Sequence, residues 1–225
     1  MRCVRPVANE TCGDRRATIS QIMWVRGAAI RPVPSYAVVD REVLDRIEEE
    51  LAENGLSPKS DLDDAFGRFE TTQPALAQSA AQVLARPLDE TALALGYFLT
   101  IAVWLAFERA FGARLGEVDD QALEAAQSAL ALEEELRATH SEEPLELEDV
   151  MAIEQPGILA FVNEHVEAAL EPADAHGNAP GEGREAREVD VDDVHAVYRT
   201  VLVMTLALSH AVSPATGARP REMLA

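Results

Sequence analysis

Asp192 and His195 stand three residues apart, a spacing that puts a carboxylate and an imidazole on one face of a helix. Two such acid-x-x-His pairs, faced by two further glutamates, form the carboxylate-bridged di-metal centre found inside helical bundles. Here the pair has no second copy: the residues three before His140, His165, His176 and His210 are Arg137, Val162, Ala173 and Ala207. Asp192 and Asp193 also have a simpler role, since acids in the first turn of a helix complement its dipole. His165 lies on an apolar stripe with Val162, Val166 and Ala169, where a histidine is ordinarily a core residue with a satisfied hydrogen bond. Glu108 follows Trp104 and Leu105 inside a long apolar run, and burial there would demand a cation, with Arg109 and Arg199 as the expected partners. Asp192, His195, His165 and Glu108 are therefore the residues on which a metal would depend. The incomplete motif leads us to expect no metal, no other cofactor and no catalytic residue.

Other reaction classes fail on inventory. The chain has no G-x-x-x-x-G-K-[ST], no G-x-S-x-G and no H-E-x-x-H, and its single lysine, Lys59, sits in GLSPKS. Gly181-Glu182-Gly183 falls in a polar loop instead of between a strand and a helix, so it carries no dinucleotide signal. Cys3 and Cys12 lie near the N-terminus with no histidine beside them, which leaves a zinc site without ligands.

Charge narrows the partners. The 225 residues hold 19 Lys plus Arg against 40 Asp plus Glu, a formal net charge of −21. Such a surface repels phosphate backbones and anionic lipid, so neither nucleic acid nor a membrane is expected as a partner, whereas a basic protein is. Residues 1–38 are Arg-bearing and acid-poor and read as an irregular leader without the apolar stretch of a secretory signal; Trp24 within it is expected to matter little to stability. A body free of cysteine suits a reducing cytoplasm, and the preference for arginine over lysine suits a bacterial one. A homo-oligomer is compatible with all of this.

From residue 39 to 213 the apolar residues recur at helical spacing, which predicts an all-α, single-domain bundle of about seven helices. Asp40 opens a helix with Val43, Leu44, Ile47 and Leu51 on one face; Ser57-Pro58-Lys59 reads as a turn, and Ser60 with Asp63 as a capping box before Leu62, Phe66 and Phe69. Pro74 and Pro156 each begin a helix, and Val118, Ala122, Ala125, Ala129, Leu132 and Leu136 form a seam of small residues between them in sequence. Two segments are apolar on nearly all faces: one runs from Asp89 to Gly112, the other from Asp190 to about Val212. The sixteen residues from Ala92 to Phe107, apolar apart from Gly96, Tyr97 and Thr100, span roughly 24 Å against a hydrocarbon layer of about 30 Å, so the first reads as the centre of a bundle instead of a membrane span. Residues 172–188, rich in Gly and Pro, read as a flexible loop, and 214–225 as a tail.

These features predict a non-catalytic, acidic protein-interaction module. Two alternatives belong to other classes: a metal-dependent helical oxidoreductase built on Asp192 and His195, and a small-molecule binder with a cavity between the central helices near Trp104 and Met204.

Overall fold

The computed structural model describes residues 32–53, 58–139, 154–171 and 189–215. Most of the expected leader with Trp24, Cys3 and Cys12, the 172–188 loop, the tail from 216, and His140 and His176 lie outside the described residues. The chain divides into two units, Met1–Pro32 and Val33–Ala225, and all that follows concerns the second.

That unit is an all-α bundle. Among the described residues its helices are α1 (Arg41–Glu53), α2 (Pro58–Thr72), α3 (Pro74–Leu84), α4 (Glu90–Phe111), α5 (Asp120–Thr139), α6 (Pro156–Leu170) and α7 (Val191–Ala211), with single 3-10 turns at Ser35–Ala37 and Gly112–Arg114. The core begins before residue 39: Ala37 is fully buried and Val33 packs against it.

Helices α4 and α7 are the central pair. Asp89 caps α4 by accepting from the backbone N–H groups of Thr91 (2.7 Å) and Ala92 (2.9 Å), and Asp190 caps α7 by accepting from Asp192 (2.9 Å) and Asp193 (3.4 Å). Gly112 stops α4 in a conformation with φ +52°, which a residue without Cβ adopts at no steric cost. The two helices run parallel. At one end the Asp89 N–H donates to Asp193 Oδ2 (2.9 Å) and the Asp190 N–H to Asp89 Oδ2 (3.1 Å). At the other end Leu115 and Val212 form an isolated bridge, in which Gly116 N–H donates to the Ala211 carbonyl (3.0 Å) and Ser213 N–H to the Arg114 carbonyl (2.8 Å).

By length and composition the helix from Glu90 to Arg114 could cross a membrane. At 22 residues α4 spans about 33 Å, longer than residues 92–107 alone, so length does not discriminate. Packing is the more informative quantity: α1, α2, α3, α6 and α7 all lie against α4, and 61% of its apolar window is buried among them. Burial is concentrated toward the C-terminal ends. In α7 every residue from Val201 to Ser209 is buried, whereas Tyr97 of α4 and His195 of α7 face solvent.

Two local expectations shift. Helix α2 begins at Pro58 instead of Ser60, because a proline at the first helical position already has the required φ and loses no hydrogen bond there. On α5 the buried face is Leu123, Ala126 and Leu130, one position along from the small-residue seam, while Ala125 is exposed. Both stripes have heptad-like spacing and both carry leucines, so which one is buried is set by the neighbouring helices, α7 above all.

Candidate functional site

The most heavily bonded polar groups in the interior are two glutamines. Gln73 and Gln155 each precede a proline that opens a helix, α3 and α6 respectively, and they share one backbone conformation, φ −138°, ψ 59° and φ −139°, ψ 62°. A residue before proline is pushed out of the helical region, so each glutamine is held off the helix axis. Their exposures are 3% and 0%.

Each side-chain amide reads an extended segment as a neighbouring strand would. Gln155 Oε1 accepts from Val39 N–H (3.0 Å) while its Nε2 donates to the Ala37 carbonyl (2.7 Å) and to Ser209 Oγ on α7 (2.9 Å). Gln73 Oε1 accepts from Val118 N–H (2.8 Å) and its Nε2 donates to the Gly116 carbonyl (2.9 Å). The Ser209 hydroxyl in turn donates to the Thr205 carbonyl (2.7 Å). Among the described residues no buried side-chain nitrogen or oxygen is left without a partner, as a low-dielectric interior requires.

The Gln155 clasp is tight enough to exclude a methyl group. A Cβ at Gly157 would lie 2.8 Å from both the Arg41 nitrogen and the Val39 carbonyl, and neither backbone atom can retreat without disturbing the bond to Gln155. Gly157→Ala is therefore expected to cost about 1–3 kcal/mol despite alanine's better helix propensity, a loss readable as a lowered urea midpoint. An unchanged or raised midpoint would show that the α1–α6 contact is looser than described.

The residues singled out in the sequence are separated. Asp192 and His195 are exposed on the first turns of α7, and among the described residues no three His, Cys, Asp or Glu side chains converge as a metal set. His165 lies between Phe161 and Phe98, ring centroids 4.3 and 4.9 Å away, with Nδ1 2.9 Å from the Phe161 carbonyl and Nε2 3.3 Å from Glu48 Oε1. Its neighbour Glu164 turns to Arg41, whose guanidinium also reaches Asp45 and lies over the Phe161 ring.

Glu108 pairs with Arg68 of α2 (3.2 Å) and not with Arg109 or Arg199. The reason is geometric: adjacent helical residues point about 100° apart, so Arg109 faces α1 and bonds Glu50 through both guanidinium nitrogens (2.8 and 2.7 Å), while Arg199 bonds Glu134 (2.8 Å). Glu108 is also 38% exposed, so it is no buried charge.

Arg109 holds the Glu50 carboxyl below its usual range, chiefly by hydrogen bonding, and is itself raised by the same contact. A carboxylate whose folded pKa is lowered gives stability that is complete above the unfolded value and disappears as pH falls through the folded one. The pair is exposed, so the effect is small. Glu50→Gln should lower Tm slightly near neutral pH and not at about pH 2, where both forms are uncharged. A difference that persists unchanged in acid would mean that packing, not charge, is lost.

No protein-family model, no curated protein and no solved structure matches this chain.

Proposed function

We propose that the domain is an acidic interaction module that recruits a basic protein partner in the cytoplasm. The observation that carries this reading is how most of the cations among the described residues are used; Arg86 forms no such bond. Arg41, Arg68, Arg109 and Arg199 are each committed to a carboxylate of the same chain, Arg46 to the Glu42 carbonyl, and Arg114 to the carbonyls of Tyr36 and Ser213. The acidic excess faces outward: Glu42 and Glu49 on α1, Asp63, Asp64 and Glu70 on α2, and Glu117, Asp119, Asp120 and Glu124 around the start of α5 are exposed. A field of one sign accelerates encounter with the opposite sign and deters like-charged chains, a service to association that the fold itself does not need.

The chain's composition supplies a clean test. With Lys59 as its one lysine, it has few amines for its own carboxylates to couple to, so zero-length carbodiimide cross-links report mainly the lysines of a partner. The immobilised full chain, exposed to soluble extract at about 0.05 M salt, should retain one stoichiometric protein of basic pI. That protein should cross-link through its lysines to the carboxylates above and be released as salt rises to about 0.3 M and the Debye length shrinks. Retention of nothing stoichiometric, or of a neutral or acidic protein indifferent to salt, would overturn the proposal.

A further inference from the structure

We infer that the domain is a tandem duplication: residues 37–111 and 116–212 are two copies of one unit, and the surface between them is a two-fold dimer interface made continuous by a short link. The repeat is visible in punctuation more than in core residues. Ala37-Val38-Val39-Asp40 leads into α1 as Gly116-Glu117-Val118-Asp119 leads into α5, and Leu44, Ile47 and Leu51 recur at constant spacing as Leu123, Ala126 and Leu130 on the faces turned to the core. Gln73-Pro74 opens α3 as Gln155-Pro156 opens α6, with the same dihedral angles. Asp89 caps α4 as Asp190 caps α7, each aspartate is followed eight residues later by a tyrosine, Tyr97 and Tyr198, and each helix carries Leu-Ala in the same register, Leu105-Ala106 and Leu206-Ala207. Residues 140–153, the only stretch in which a counterpart of α2 could be sought, lie outside the described residues.

The contacts between the halves are exchanged, as an isologous interface requires. The glutamine of the first half reads the extended segment of the second, at Gly116 and Val118, and the glutamine of the second reads that of the first, at Ala37 and Val39. Helix α3 packs on α7 as α6 packs on α4. The caps depart from strict exchange: Asp190 N–H donates to Asp89, whereas Asp89 N–H donates to Asp193 instead of Asp190. A two-fold axis between two helices and along them keeps them parallel, which is the relation of α4 and α7. What one half recognises is thus a second copy of the same unit: an extended x-Val-Asp segment entering a helix, read through its backbone by a buried amide.

If the interface is that of a dimer, covalent continuity at Gly112–Leu115 supplies proximity and little else. A protease site placed between Gly112 and Ala113 of the full chain tests this, since both residues are exposed. The uncut chain should keep its helical circular dichroism. After cutting, the two fragments should migrate as one 1:1 particle, and fragments separated in denaturant should regain it on mixing. In the cut particle Gln73→Leu and Gln155→Leu should each weaken association, by about tenfold or more for a buried amide contact. Loss of helicity in the uncut chain, fragments that part or aggregate after cutting, or a clasp that matters in one half and not the other would each overturn the inference.

Discussion

Truncating Trp104 to alanine should remove about 3–5 kcal/mol of stability, a large share of the roughly 5–15 kcal/mol that holds a domain together. Trp104 is 1% exposed near the centre of α4, its ring centroid 5.5 Å from that of Phe69 on α2, with the Arg68 guanidinium 5.3 Å from its own. The substitution opens a cavity among α2 and α4 and takes away the surface on which Arg68 rests before it reaches Glu108. Urea unfolding followed by far-ultraviolet circular dichroism, which does not depend on the lost indole, measures the effect. A change under about 1 kcal/mol would mean that this part of α4 is not the centre of the core.

Gln155→Leu should be nearly as costly, at about 2–5 kcal/mol, although it replaces a polar residue by an apolar one of similar size in a buried place. Leucine leaves the Val39 N–H and the Ala37 carbonyl in the interior without partners, and each stranded group costs about 1–3 kcal/mol. Ser209 Oγ keeps its bond to the Thr205 carbonyl and contributes less to the loss. Gln155→Glu keeps the acceptor but brings a buried charge or an extra proton, and should rescue little. The same urea titration decides between this account and simple hydrophobic burial, under which Gln155→Leu would stabilise.

The parts of the fold that were legible in sequence are those set by local chemistry. Asp89 and Gly112 bound α4, Asp190 bounds α7, and Pro74 and Pro156 open α3 and α6, because caps and prolines act within one turn. What was not legible depends on distant partners. Glutamine is usually exposed, and nothing near Gln155 in sequence announces that its amide meets a segment 116 residues earlier. The choice between two apolar stripes on α5 is set by where α7 and α3 pass, and the choice of partner for Glu108 by where α2 passes. The likeness of the two halves is faint in sequence for a related reason. Their central helices hold different residues at matching places, Trp104 against Thr205, so the likeness survives in caps and clasps.

Arg114 holds two carbonyls at once: Nη2 donates to Tyr36 (3.2 Å) and Nε to Ser213 (2.9 Å), so the segment entering the bundle and the segment leaving it are pinned by one guanidinium. Residues 36 and 213 are thereby held within reach of one side chain, however far the chain travels between them. The same arrangement makes the domain a loop in mechanical terms: a longer polypeptide could carry it as a side excursion, leaving its own path almost undisturbed.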